Sequence, residues 1–317
     1  MNAPMRLPTT STASPPNMNS IHLVLALGLA AAPLHAAQKD KQPVPAPEGV
    51  RVERDVPYLG DARHEKADLY FPSNMPVGRK LPVVIVIHGG GFNDGDKARV
   101  REVSIVSDLV FGGYVAMSIN YRLWNKGVKN PTWPQSLLDA KTSVRWLRAN
   151  AARLGVDGEH IGVLGGSAGG NLASMLALTR PADGFEPEAM PDVSSAVKCA
   201  VDLYGAVDLR EYHDMKMFLQ TREENPEIYR KASPTTYVHA GAPPMLLIHG
   251  DADTVVNVKQ SETLAAALKS VGAPHELMIL RGAPHSFDLQ PMQRDLRPLV
   301  IGFFDKHLKA APVRAQK

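Results

Sequence analysis

Three short segments of this chain carry the residue types that nucleophilic catalysis needs, and they occur in a telling order. Residues 161–171 read Ile-Gly-Val-Leu-Gly-Gly-Ser-Ala-Gly-Gly-Asn, an apolar run ending in G-x-S-x-G with Ser167 at its centre. Only residues with little or no side chain fit around a sharp strand-to-helix turn that leaves a serine hydroxyl facing outward. Gly165 and Gly169 flank that serine, with Gly166 and Ala168 between. The turn also puts the backbone N–H of Ala168 at a helix N-terminus, where partial positive charge collects. Upstream, the apolar run Leu81–Ile87 leads into His88-Gly89-Gly90-Gly91-Phe92. Its three successive glycines let the backbone aim two of their N–H groups into a cavity. With Ala168 they form a candidate oxyanion hole, each donor worth about 2.7–4 kcal/mol. No G-K-[ST] follows, which argues against a phosphate cradle.

The acid and base lie downstream. Residues 244–249 form a short apolar strand followed by Gly250-Asp251-Ala252-Asp253-Thr254-Val255-Val256. A carboxylate just past a strand end can orient a histidine and stabilise the imidazolium it becomes. Two acids compete: Asp251 suits a loop-capping role, while Asp253, the later carboxylate, leads toward the next helix. Asp208 is a further candidate, ranked below both. The base is read at His285, in Arg281-Gly282-Ala283-Pro284-His285-Ser286-Phe287, a Gly/Pro-containing loop after the strand-like run at 275–280. His249, at a strand end beside the acid loop, is read as structural, and His88 as an anchor of its own loop. A glycine-rich turn with a serine arises by chance; its partners in sequence make chance a poor account.

The segments H-G-G-G-F, G-G-S-A-G-G, H-G-D-A-D-T-V-V and A-P-H-S-F together resemble the α/β-hydrolase serine esterases. The set is most similar to the bacterial feruloyl- and acetyl-esterase-type carboxylesterases and to the hormone-sensitive-lipase-like group, over nearly the whole chain from about residue 52 to 308. The order Ser, Asp, His fits that sheet. The resemblance implies Ser167 as nucleophile, Asp253 as orienting acid, His285 as base, and Gly90, Gly91 and Ala168 as oxyanion donors. It departs at one place: the hormone-sensitive-lipase-like group usually reads G-D-S-A-G-G, whereas Gly166 stands here in the aspartate position. The glycine version is similar to the feruloyl/acetyl-esterase branch, which generally lacks a large N-terminal helical cap. The kynurenine formamidases share an H-G-G entrance and a G-x-S-A-G-G elbow, so amide cleavage stands as an alternative. A non-catalytic binding protein on the same fold is a third reading, disfavoured because all three catalytic residue types are present.

Strand-like and helix-like segments alternate, which predicts a mostly parallel, doubly wound sheet of eight strands. Strands are expected at 52–58, 67–71, 81–87, 114–120, 161–164, 197–203, 245–248 and 276–280. Helices are expected at 99–111, 134–154, 168–179, 258–271 and 291–308. Residues 208–236 interrupt this pattern and read either as a small lid, with Phe92, Met217 and Phe218 as candidate substrate contacts, or as a peripheral helix that buries its Met and Phe side chains. The 317 residues are 44% hydrophobic and 21% charged with a net charge of +3, an ordinary globular balance without a clustered basic patch for nucleic acid. No metal-ligand spacing or dinucleotide fingerprint occurs, so no cofactor is expected. Residues 1–36 read as a signal peptide: the apolar run 21–33 is shorter than the roughly 20 residues a membrane span needs. A linker at 37–50, a hydrolase domain at 51–310 and a tail at 311–317 complete the organisation. Periplasmic or secreted location follows, with a small-molecule or polysaccharide-linked ester as the expected partner. Cys199, the only cysteine, sits in an apolar run and is read as a buried small hydrophobe.

Overall fold

The computed structural model describes residues 44–76 and 78–309; the expected signal peptide and the tail lie outside these. Eight strands form one sheet: β1 (Val50–Val56), β2 (Ala67–Pro72), β3 (Leu81–Ile87), β4 (Val115–Ile119), β5 (Val156–Gly166), β6 (Cys199–Leu203), β7 (Met245–Gly250) and β8 (His275–Leu280). Their spatial order is β1-β2-β4-β3-β5-β6-β7-β8. β1 and β2 pair antiparallel, β2 joins β4 antiparallel, and every other pairing is parallel. The helices are α1 (Val100–Phe111), α2 (Gln135–Ala149), α3 (Ala151–Leu154), α4 (Ala168–Leu178), α5 (Pro226–Lys231), α6 (Lys259–Ser270) and α7 (Arg297–Leu308). None of the described helices is long and apolar enough to cross a membrane.

The central strands are apolar throughout because both faces of the sheet are covered. Alternate side chains of β3 enter separate cores. Val83, Ile85 and Ile87 pack with Leu137 of α2, Leu172 of α4 and Leu264 of α6. Val84 and Val86 pack with Ile105 and Leu109 of α1 and with Phe303 and Phe304 of α7. Cys199 is fully buried in this second core, and burial pushes its thiol pKa up.

After β3 the chain steps out to β4, then returns to the other side of β3 as β5. Two loops therefore diverge at the carboxyl ends of β3 and β5, the place where open α/β sheets leave a crevice for ligands. The glycine run 89–91 leaves one of these strands and Ser167 leaves the other.

Among the boundaries that differ from the sequence reading, three are the largest. β5 begins at Val156 rather than 161: Val156 and Asp157 pair with Leu81 and Pro82, and a bulge absorbs the polar residues before pairing resumes at Ile161. The expected long helix 134–154 is split into α2 and α3 at Asn150. α7 starts at Arg297, not 291, with Pro298 in its first turn, where a missing N–H costs nothing.

One buried carboxyl tests this packing. Asp202 on β6 is fully buried, accepting the Ser174 hydroxyl at 2.7 Å and the Gly205 N–H at 2.8 Å. Burial outweighs those two bonds and pushes its pKa up from 3.8 to about 6. The folded state thus holds a proton that the unfolded chain releases between about pH 4 and 6, so this group costs stability as pH rises through that window. Asp202→Asn keeps the shape, with its Oδ1 accepting the Gly205 N–H and its amide NH₂ donating to Ser174 Oγ, and removes the titration. Denaturant unfolding should show the variant gaining on wild type between pH 4.5 and 7; a constant difference would refute the assignment.

Candidate active site

The turn between β5 and α4 holds Ser167 at φ 57°, ψ −120°, a left-handed backbone that a side chain resists. Close packing enforces it. A Cβ at Gly165 would overlap the Gly169 carbonyl, and one at Gly169 would overlap the Ile87 carbonyl at the end of β3. The Ser167 N–H donates to Leu203 O at 2.9 Å and its carbonyl accepts from Asn171 N–H at 3.0 Å, so both its main-chain groups are fixed.

The loop after β3 faces this turn. Gly90, Gly91 and Phe92 all have positive φ, and Gly90 O accepts the N–H groups of Asn93 at 3.1 Å and Asp94 at 3.0 Å, closing a tight turn. His88 anchors it: its Nδ1 donates to Gly89 O at 2.7 Å, and its ring stacks on Tyr121 at 4.5 Å. Burial pushes the His88 pKa down to about 4, so a neutral ring supports the loop and adds no charge to the site. The N–H groups of Gly90, Gly91 and Ala168 donate to no acceptor among the described residues. Three donors are left free in one region, a disposition that suits an oxyanion.

Asp253 and His285 meet from separate loops. Asp253 Oδ2 lies 2.6 Å from His285 Nδ1, while its Oδ1 accepts the N–H groups of Val255 at 2.8 Å and Val256 at 2.9 Å. The carboxylate is buried and the imidazole is 13% exposed, leaving the far edge of the ring toward the cavity. With Nδ1–H donated to a carboxylate, Nε2 is the nitrogen left to accept a proton.

The rival residues are engaged elsewhere. Asp251 accepts Gly282 N–H at 2.6 Å, capping the loop, and Asp208 is paired with Arg210 at 2.6 Å. His249 is fully buried; its Nδ1 is 2.7 Å from Ser261 Oγ, and its Nε2 is 2.9 Å from Val256 O and 3.3 Å from Asp253 Oδ2. With both ring nitrogens occupied it buttresses the acid loop.

Ser167, His285, Gly90 and Gly91 all line one cavity of about 510 Å³. The segment 208–236 supplies its outer wall, through Tyr212, His213, Asp214, Met215 and Lys216. The tentative substrate contacts do not. Met217 and Phe218 are 1% and 0% exposed and turn into the core, where Phe218 packs edge-on against Trp133 and Tyr229. Phe92 is likewise buried, against Tyr121. In the 3₁₀ turn Lys216–Phe218 the first residue faces the cavity and the next two the core, and no periodicity in so short a turn reveals which. Arg101 and Tyr204 also reach the cavity wall. Neither belongs to a motif, and only the pairing of distant elements brings them there.

This architecture is shared with known proteins. A truncated carbohydrate esterase from gut microbiota superposes with a TM-score of 0.71 at 25% identity, covering 81% of this chain and 95% of that one. The thermophilic esterase Est2 of the planctomycete Thermogutta terrifontis, solved with propionate bound, superposes with a TM-score of 0.67 at 27% identity, covering 84% and 98%. Esterase LipQ of Mycobacterium tuberculosis is 34% identical over 248 residues, 74% of this chain and 57% of that protein. The chain spans about three-fifths of the length of the curated relatives it matches. Residues 67–268 match the family BD-FAE, well over half the chain. Sheet order, elbow and family match agree: the chain belongs to the BD-FAE family of α/β-hydrolases.

Proposed function

We propose that this protein is a serine carboxylesterase acting on short-chain acyl esters, acetyl and feruloyl esters of polar alcohols included. The observation that carries the reading is the 2.6 Å Asp253–His285 bond, made by an imidazole that lines the same cavity as Ser167. His285 Nε2 takes the Ser167 proton as Oγ attacks the ester carbonyl. The N–H groups of Gly90, Gly91 and Ala168 receive the oxyanion, and Asp253 stabilises the imidazolium. The alcohol departs with the proton from His285, and water releases the acyl group from Ser167 by the same steps.

Chain-length preference follows from the wall. Met215 and Val255 are its only aliphatic side chains, and Val255 is half exposed. Burial of a CH₂ group is worth about 0.8 kcal/mol, and a long acyl chain finds little here to bury against. The remaining wall, with Asn93, Tyr212, His213, Asp214 and Lys216, suits a hydroxyl-rich leaving group. The names of the relatives, esterases and a carbohydrate esterase among them, support the same class. Export would place such an enzyme where polysaccharide-linked esters occur.

Four measurements test this reading. Across p-nitrophenyl esters from acetate to dodecanoate, kcat/KM should peak at acetate to butyrate and fall steeply beyond; a maximum at long chains would reject the short-acyl reading. Turnover of N-formylkynurenine alone would move the assignment to an amidase. Ser167→Ala should lower kcat by more than about 10⁴-fold with the melting temperature unchanged, and retained turnover would exclude Ser167 as nucleophile. Asp253→Asn should cost about 10⁴-fold in kcat, whereas Asp251→Asn should stay near wild type; the reverse ranking would reassign the acid.

A further inference from the structure

The sequence departs from the hormone-sensitive-lipase-like pattern at Gly166, and the fold fills that position from another element. Arg101, in the first turn of α1, inserts its guanidinium between the elbow and the loop that carries His285. Its Nε donates to Phe287 O at 3.2 Å, and its Nη1 is paired with the Glu102 carboxylate. Its Nη2 has no hydrogen-bond partner among the described residues. That nitrogen sits where a residue-166 side chain would stand: a Cβ there would overlap Nη2 and lie 3.0 Å from Tyr204 Oη.

Phe287 O also accepts the Tyr204 hydroxyl, at 2.6 Å. One carbonyl, two residues past His285, thus takes donors from α1 and from the end of β6. The Tyr204 ring meets the His285 ring edge-on at 4.7 Å and the Phe287 ring at 4.5 Å, with the Arg101 guanidinium 5.5 Å from its centroid. Tyr204 is itself held at φ 47°, its N–H donating to Ile248 O at 2.8 Å. Ser286 has φ 69°, so the His285 loop is a left-handed kink that needs fixing from outside.

We propose that Arg101 and Tyr204 are positioning residues that clamp the His285 loop against the nucleophile turn, and that residue 166 is glycine because the Arg101 guanidinium takes the space of its side chain. The proposal rests on the reading of Ser167 and His285 as nucleophile and base. A carboxylate at 166 and a guanidinium from α1 are alternative occupants of one volume. Their exchange leaves the elbow intact while tying it to a different neighbour.

The test is a set of full-chain variants assayed with p-nitrophenyl acetate: Arg101→Met, Gly166→Ala, the two combined, Arg101→Lys and Tyr204→Phe. Misplacing a reacting group by about 1 Å costs on the order of 100-fold. Arg101→Met should therefore lower kcat by about 10- to 100-fold with KM within about twofold. Gly166→Ala should do the same by displacing the guanidinium, which is the movable partner. The combined variant should be no worse than the worse single one, because both remove one contact. Arg101→Lys keeps the charge but not the planar fork, and should not restore kcat. Tyr204→Phe should lower kcat with KM unchanged. Multiplying losses in the combined variant, rescue by lysine, or a KM rise at constant kcat would each overturn the clamp. If Arg101→Met does not fold, wild-type kcat in both Gly166→Ala and Tyr204→Phe overturns it. Ser167→Ala is the separate control: if it leaves esterase turnover intact, the ester-hydrolysis reading falls and the clamp with it, whereas a failed clamp with an inactive Ser167→Ala leaves that reading standing.

Discussion

The backbone of Ser167 is held in a conformation that costs an isolated non-glycine residue about 1–3 kcal/mol, and the surrounding packing exists to impose it. β5 must end, α4 must begin within one residue, and the first turn of α4 must lie against the end of β3. Any side chain at Gly165 or Gly169 would push these apart. The helix is buried along all eleven residues, so it cannot shift outward to relieve the strain. What results is a hydroxyl presented at the carboxyl edge of the sheet, beside a helix N-terminus, where a developing negative charge is stabilised most cheaply.

The electrostatics around that hydroxyl follow from which partners are already taken. His88 is kept neutral by burial and serves as a flat support, stacked on Tyr121. His249 has both nitrogens engaged. Asp251 and Asp208 are engaged within their own loops. Asp253 alone of these acids meets an imidazole that faces the cavity, so of the six histidines and acids weighed, four are engaged elsewhere and one hydrogen-bonded pair is left at the cavity.

Most of the sheet was legible in the chain because a strand buried on both faces must be apolar at every position, as β3 is, and glycine must stand wherever backbones nearly touch. The segment 208–236 was legible only as an interruption. Residues 208–236 fold into short turns and the six-residue α5, whose side chains take their direction from the surface they land on. Met217 and Phe218 read as cavity contacts by composition, yet they anchor this segment in the core, and the polar neighbours Asp214 and Lys216 face the cavity instead. The start of β5 was illegible for a related reason: polar residues at 157–160 hide a pairing with β3 that a bulge makes possible.

The sequence by itself determined the elements, their order, and the local chemistry at each loop: a strained serine, a glycine run, a choice of acids and a histidine. These are consequences of short-range sterics and of burial, which act on neighbours in the chain. Only the tertiary structure decided which acid meets His285, which aromatic residues are core, and what stands beside Gly166. Each depends on groups far apart in sequence meeting at contact distance, as when Arg101 Nε and Phe287 O come within 3.2 Å. Hydrogen-bond geometry at that range is set by how whole elements pack, and no stretch of chain records it alone.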